Sequence, residues 1–284
     1  MEVEYMDIYE TMMNRRSIRN FSDANISDDI VERLLGAANN APSGGNIQPL
    51  SIILVKDKNK RNKLAEIVGN QPWVANAPLS MIFCIDFNRV KNWAKIYNTE
   101  FKGEQSFSHF LIAYADILCA AQNIVILAES YGLGSVYIGS ILESINEARE
   151  IFSLPQYVLP LMILSLGYPK SKPEKMPKLK QSVIVHNNEY HEMSDEEVKK
   201  AFDEKYGDFG GDPKEYFKKA YIEVLEAEKQ GNEDIVSLAS EKMKKLNIAN
   251  NAQFLFKLRY PTDVMVKLND RIFEAFSSAG YDFS

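Results

Sequence analysis

The sequence predicts a domain of the α/β or α+β class over residues 1–193, followed by a helical extension over 194–284. Three observations carry this. Short apolar runs bounded by turn residues recur at 50–57, 79–87, 134–141 and 159–169, and each reads as a buried strand. Segments with helical apolar spacing separate them, the alternation expected of such domains. After residue 193 the composition shifts to charged, amphipathic stretches such as "SDEEVKKAFDEKYGDF", with "GDFGGDP" as an internal break.

The elements follow in order. Residues 6–15 read as a short helix that runs into a group of arginines. Ser27 is an N-cap followed by Asp28 and Asp29, and Ile30, Leu34 and Ala37 or Ala38 keep helical spacing, which predicts a helix over 27–40. "NAPSGGNIQP" ends it with two prolines and two adjacent glycines. "KNKRNKLAEIVG" is a helix between the first two strands. Residues 110–131 form a long helix, apolar on most sides, as expected in a core or at a subunit interface. Gly132 is its C′ residue, and "ESINEAREIF" is the helix between the last two strands. Trp93, Tyr97 and Phe101 recur at helical spacing, a stripe expected to pack into the core rather than clamp a substrate. Tyr260, Phe273, Phe276 and Tyr281 are expected to pack the helical extension.

Bulk properties narrow the function. A hydrophobic content of 45% and a charged content of 25% in 284 residues suit a globular protein with a sizeable core. A net charge of −6 argues against general nucleic-acid binding. Cys84 and Cys119 lie in apolar runs without a CxxC partner, so both are expected to be buried free thiols. No basic segment leading into an apolar stretch opens the chain, and no apolar run is expected to reach the roughly 20 residues of a membrane helix. These features point to a cytoplasmic protein. His109, His186 and His191 lack metal-ligand spacing, so no metal is expected. Neither a GxSxG elbow nor a GxxxxGK[ST] loop is present. "GLGSVYIG" follows a helix and opens a strand, the reverse of a Rossmann loop.

Three stretches carry candidate chemistry. In "NRRSIRNFSD", Arg15 and Arg16 offer charged multidentate donors, Arg19 falls roughly one helical turn after Arg15, and Ser17 adds a hydroxyl. Such a set suits a terminal phosphate; taken alone, it reads rather as a solvated basic face beside Asp23. "APSGGNIQP" has small residues that let backbone approach a flat ligand, with Ser43, Asn46 and Gln48 as donors; alone, it also reads as a polar loop. In "PKLKQ", Lys178 and Lys180 alternate on an extended segment and point the same way, towards an anion or into solvent.

Taken in order, "RRSIRNF", "APSGGNIQP", "QPWVANAPLSMIF", "DILCAAQNIVILAESYGLGSVYIGS" and "LPLMILSLGYPKSKPEKMPKLKQ" resemble the nitroreductase family of FMN-dependent oxidoreductases over residues 7–193. The resemblance implies an α+β fold, a mixed sheet flanked by helices, and a homodimer with FMN at the subunit interface. It implies that Arg15, Arg16, Ser17 and Arg19 hold the FMN phosphate and ribityl chain, with Lys178 and Lys180 closing on the phosphate. Pro42, Ser43, Asn46 and Gln48 would line the isoalloxazine ring from across the interface. Ile138, Gly139 and Ser140 would lie against its reactive nitrogen, and Gln71 near its pyrimidine edge. The flavin would carry the chemistry, with no catalytic acid or base from the protein. NADH or NADPH would deliver hydride in a ping-pong cycle, and a small acceptor such as a nitroaromatic or quinone would take it. A reductive dehalogenase and a non-catalytic flavin sensor are the alternatives within the same resemblance. Residues 88–108 occupy the stretch that shapes the substrate pocket in this family, and the extension has no counterpart in the short family pattern.

Overall fold

Four strands form the sheet in the computed structural model of the chain, which describes residues 7–207 and 241–283. They are β1 (Leu50–Val55), β2 (Leu79–Asp86), β3 (Gly134–Ile138) and β4 (Val158–Gly167), in spatial order β1-β2-β4-β3. Each pairing of strands is antiparallel, with Ile52 opposite Phe83, Ser80 opposite Ser165 and Val136 opposite Ser165. Among the described residues, parallel pairing is confined to one isolated bridge, between Ser17 and Ser135.

β2 is buried at every position, which explains its unbroken apolar run. Its alternate side chains feed two cores. Met81, Phe83 and Ile85 join Leu34, Ile117 and Ile124 on one face, while Ile82 and Cys84 join Leu64, Val74 and Ile163 on the other. The buried hydroxyls of Ser80 and Ser165 bond to each other at 2.8 Å, so neither is left unpaired.

The helices of the first face are α2 (Asp28–Asn39) and α6 (Phe107–Ser130); α3 (Lys58–Ile67) and α4 (Pro72–Asn76) feed the second. Ser27 caps α2 by accepting from the Ile30 amide, as expected. Gly132, at φ 73°, ends α6 in a Schellman motif: its amide reaches Glu129 and that of Leu133 reaches Ala128. One expectation is corrected here. With 24 residues and an 18-residue stretch of mean hydropathy 1.9, α6 is long and apolar enough to cross a membrane. Its Ala113, Ile117, Ala120, Ala121, Ile124, Val125 and Ala128 are instead buried in the core cluster that includes β2 and β4, and this burial accounts for the composition.

Two compact units divide the chain: the described residues of Met1–Pro173 with Leu268–Ser284, and those of Glu174–Lys267. The first boundary lies at Pro173/Glu174 rather than at residue 193, and the C-terminal helix, Asn269–Ser278, belongs to the first unit. There Phe276 lies 5.1 Å from Phe110, Tyr281 stacks at 5.7 Å on Phe87, and the Tyr157 amide donates to Ala279 at 2.8 Å. Phe276 and Tyr281 therefore pack the main core, whereas Tyr260 and Phe273 are exposed. The second unit contains Asp195–Tyr206, opened by a Ser194/Glu197 capping box, and Asn251–Phe254 with a π-helical turn after it. Residues 208–240, with all of "GDFGGDP" beyond its first glycine, lie outside the described residues.

Candidate functional site

β3 lies at the edge of the sheet, with unpaired backbone groups to satisfy. The arginine segment covers them. α1 (Ile8–Asn14) stops before it, and Arg15 is extended, with φ −61° and ψ 134°. Ser17 bridges to Ser135, and the Ile18 amide donates to the Ser135 carbonyl at 2.9 Å. The helical turn expected between Arg15 and Arg19 is thus replaced by extended chain. Burial of Ile18 explains this: a Cβ on Gly134 would lie 2.3 Å from Ile18 Cγ1, so the two backbones meet only because residue 134 is glycine. On its other side the segment pairs with the chain leaving β4, through Ser22 to Tyr168 at 2.7 Å and Lys170 to Asn20 at 2.9 Å.

This placement gathers cations. Arg16 Nη1 donates to the Pro173 carbonyl at 3.0 Å, and the Arg19 guanidinium lies 5.5 Å above the Trp73 ring. Lys172 Nζ approaches the buried Glu129 at 3.8 Å. Burial raises the Glu129 carboxyl above its usual range, and Lys172, Arg16 and Arg15 oppose that rise. The Tyr137 phenol is pushed up to about 12 by burial, against the pull of Arg15.

The N-terminus of α4 joins this segment to the end of β3. Gln71 stands at the N-cap position of α4 but its side chain points away from the helix; its Nε2 donates to Ser140 Oγ at 2.9 Å and to the Val68 carbonyl at 2.8 Å, and Ser140 Oγ donates to Val68 at 3.0 Å. Trp73, two residues on, lies under Arg19. "RRSIR", "QPW" and "YIGS" are therefore linked in one chain of contacts. Ile138 is buried, while Gly139 is exposed, has φ −87°, and shows nothing within 4 Å of where a Cβ would stand.

The 42–48 loop is tied elsewhere, to α2, α6 and α5 (Phe87–Ile96). Ser43 Oγ donates to Asp116 at 3.1 Å and accepts from the Gln48 amide at 2.9 Å. Gln48 Nε2 donates to Asn39 at 3.3 Å, and Arg89 Nη2 donates to the carbonyls of Gln48 at 2.7 Å and Leu50 at 2.8 Å. The donors of Ser43 and Gln48 are thus committed within the chain, while Pro42 and Asn46 are exposed. A cavity of about 220 Å³ borders the loop, lined by Asn39, Pro42, Ser43, Gln48, Trp93 and Asp116 among others. Lys178 and Lys180 belong to the second unit, where Lys180 pairs with Glu204 at 2.9 Å.

Two further expectations are corrected. Cys84 is buried in β2, but Cys119 is exposed on the outer side of α6. Trp93 and Tyr97 are 47% and 80% exposed; α5 ends at Ile96, and only Phe101 turns inward, 5.3 Å from Phe87. Asp116, Glu129, Arg89, Trp73 and Lys172 were not singled out from sequence. For the two acids a signal existed: each stands alone in an apolar run, "IAYADILC" and "VILAESYG", where a buried carboxylate needs a partner.

Fold and site together define an α+β protein whose sheet edge carries a half-buried cationic segment beside an open glycine backbone. A model of the nitroreductase family matches residues 12–168, and the chain belongs to that family. It is 33% identical to the Cr(VI) reductase of Pseudomonas sp. (strain G-1), over 69% of this chain and 81% of the relative. It is 32% identical to the FMN reductase [NAD(P)H] of Bacillus subtilis (strain 168), over 65% and 74%. Among solved structures, the NADPH:FMN oxidoreductase from Vibrio harveyi complexed with NAD+ superposes with a TM-score of 0.64 at 35% identity, over 68% of this chain and 82% of that one. NfrA2 of B. megaterium superposes with a TM-score of 0.73 at 28% identity, over 98% and 100%. That coverage includes the C-terminal extension, which therefore has a counterpart in a related structure.

Proposed function

We propose that the chain is an FMN-dependent oxidoreductase that takes hydride from NADH or NADPH and reduces a small oxidised acceptor, such as a nitroaromatic or a quinone, in a ping-pong cycle. The observation that carries this reading is the α4 junction, where Trp73 and Gln71 draw the arginine segment and the end of β3 together. Relatives named FMN reductase, NADPH-flavin oxidoreductase and NADPH nitroreductase support it.

The residues fit the cofactor. Arg15, Arg16 and Arg19 supply the charged donors that a phosphate takes several at a time, with the Ser17 hydroxyl beside them. Gly139 has ordinary backbone angles and empty space in place of a side chain, so neither a turn nor packing calls for glycine; a flat ring laid against the backbone does. When bound, FMN supplies the hydride-relay chemistry, and the protein supplies orientation and electrostatics. Arg15, Arg16, Ser17 and Arg19 hold the phosphate and ribityl chain. Ile138, Gly139 and Ser140 present backbone to the ring, and Gln71, oriented by Ser140 and Val68, meets its pyrimidine edge. Pro42, Ser43, Asn46 and Gln48 cover the ring from a second copy.

The face of α1 and α6 receives that second copy in this reading. Ile8, Tyr9, Met12 and Met13 are 51–66% exposed, and Leu111 and Ile112 about half, a concentration of apolar surface suited to an interface. The enzyme works in the cytoplasm, with no nucleic-acid or membrane partner. The test is to load the purified chain with FMN and titrate it anaerobically with NADH and NADPH separately. Retained yellow colour, bleached by one nucleotide and restored by a nitroaromatic or quinone, is expected. Failure to retain FMN, or retained flavin that neither nucleotide bleaches, overturns the reading.

A further inference from the structure

The Ser43–Gln48 loop carries an anchor that a solvated polar loop does not need. Asp116 of α6 is only 9% exposed, and its carboxylate accepts from Ser43 Oγ at 3.1 Å and from the Gly44 amide at 3.1 and 3.2 Å. Ser43 Oγ in turn accepts from the Gln48 amide at 2.9 Å, so one carboxylate reaches both ends of the loop. Between those ends Gly45 and Asn46 have φ of 59° and 54°, and Gln48, at the second end, has 50°. Asparagine visits this left-handed region readily, but glutamine holds such an angle only where its surroundings over-determine it. The loop also lies hard against α6: a Cβ on Gly44 would stand 2.4 Å from Ile112 Cγ2. A buried charge, a shared hydroxyl and strained backbone together make a surface of fixed shape.

We propose that Asp116 is a positioning residue for flavin reduction: acting through Ser43 and Gly44, it holds the loop in the conformation that covers the ring. This rests on the function proposed above. The loop then limits how the nicotinamide and the ring meet, and hydride transfer is sensitive to displacements of an ångström or less.

The test compares the FMN-loaded wild type with Asp116→Asn and with Gly44→Ala. The first keeps the side-chain size but removes the charge and one acceptor; the second pushes the loop off Ile112 with the carboxylate intact. Each variant is expected to keep its FMN dissociation constant within about threefold, because the phosphate is held elsewhere, while flavin bleaching in stopped flow by the nucleotide that reduces the wild type slows about tenfold or more. A variant with a lower melting temperature but an unchanged bleaching rate makes Asp116 merely structural and overturns the proposal. If one variant does not fold, the other decides by the same criterion. A wild type that retains no FMN overturns the functional reading and this proposal with it; a normal wild type with unaffected variants overturns this proposal alone.

Discussion

Lys172 Nζ stands 3.8 Å from Glu129 Oε1, and that carboxylate is buried in the last turn of α6. Burial is the largest influence on it and raises its carboxyl despite Lys172, Arg16 and Arg15. Folded Glu129 therefore keeps its proton to higher pH than the unfolded chain does. Its contribution to stability is greatest below the ordinary glutamate value of about 4.3 and is lost as pH rises through the raised value. Glu129→Gln is expected to be at least as stable as the wild type at neutral pH, with the difference closing towards pH 4. Thermal unfolding of both proteins across this range checks it; a wild type that gains on the variant as pH rises contradicts the sign.

Arg19 over Trp73 gives a second expectation. Arg19→Ala, or the Arg15→Ala/Arg16→Ala pair, is expected to weaken FMN binding by about 1.5–3 kcal/mol, the worth of a charge-assisted bond. Trp73→Leu leaves the charge and removes its platform, so a smaller loss of about 0.5–1 kcal/mol is expected. Flavin fluorescence titration measures both. An Arg19→Ala protein that binds FMN within about twofold of the wild type removes Arg19 from the phosphate site.

Gly134 and Ile18 meet too closely for any side chain at residue 134. Gly134→Ala is expected to cost about 1–3 kcal/mol in urea unfolding, the usual range for overpacking. It is also expected to weaken FMN binding, because the displaced segment carries Arg15, Arg16 and Arg19. Normal stability together with normal FMN affinity would separate the cofactor site from the β3 edge.

Tyr281 is 3% exposed, stacks on Phe87 and donates its hydroxyl to the Tyr157 carbonyl at 3.2 Å. Tyr281→Ala is expected to destabilise the chain by about 3–5 kcal/mol, as for other large buried aromatics. Phe273 is 59% exposed, and Phe273→Ala is expected to stay within about 0.5 kcal/mol. Equal effects of the two in chemical denaturation would contradict the assignment of the C-terminal helix to the core.

Much of the fold was legible because its signals are local. The cap at Ser27, the glycine after α6 and the apolar runs of the four strands each depend on neighbours a few residues away. The candidate site was legible in composition but not in conformation. Three arginines close together gave no sign that the chain there is extended, since that depends on Ile18 finding the missing side chain of Gly134. Ser43 and Gln48 were recognisable as polar loop residues, but their commitment to Asp116 and Asn39 was not.

The sequence by itself determined the order of strands and helices, the family motifs and the cationic residue types gathered at the candidate site. Only the tertiary structure decided that Gln71 meets Ser140 across 69 residues, that Arg19 rests on Trp73, and that the C-terminal helix returns to α6. The reason is physical. Helix caps, turns and strand periodicity are set by sterics and hydrogen bonds within a few residues, whereas these contacts form only when two distant surfaces exclude water together.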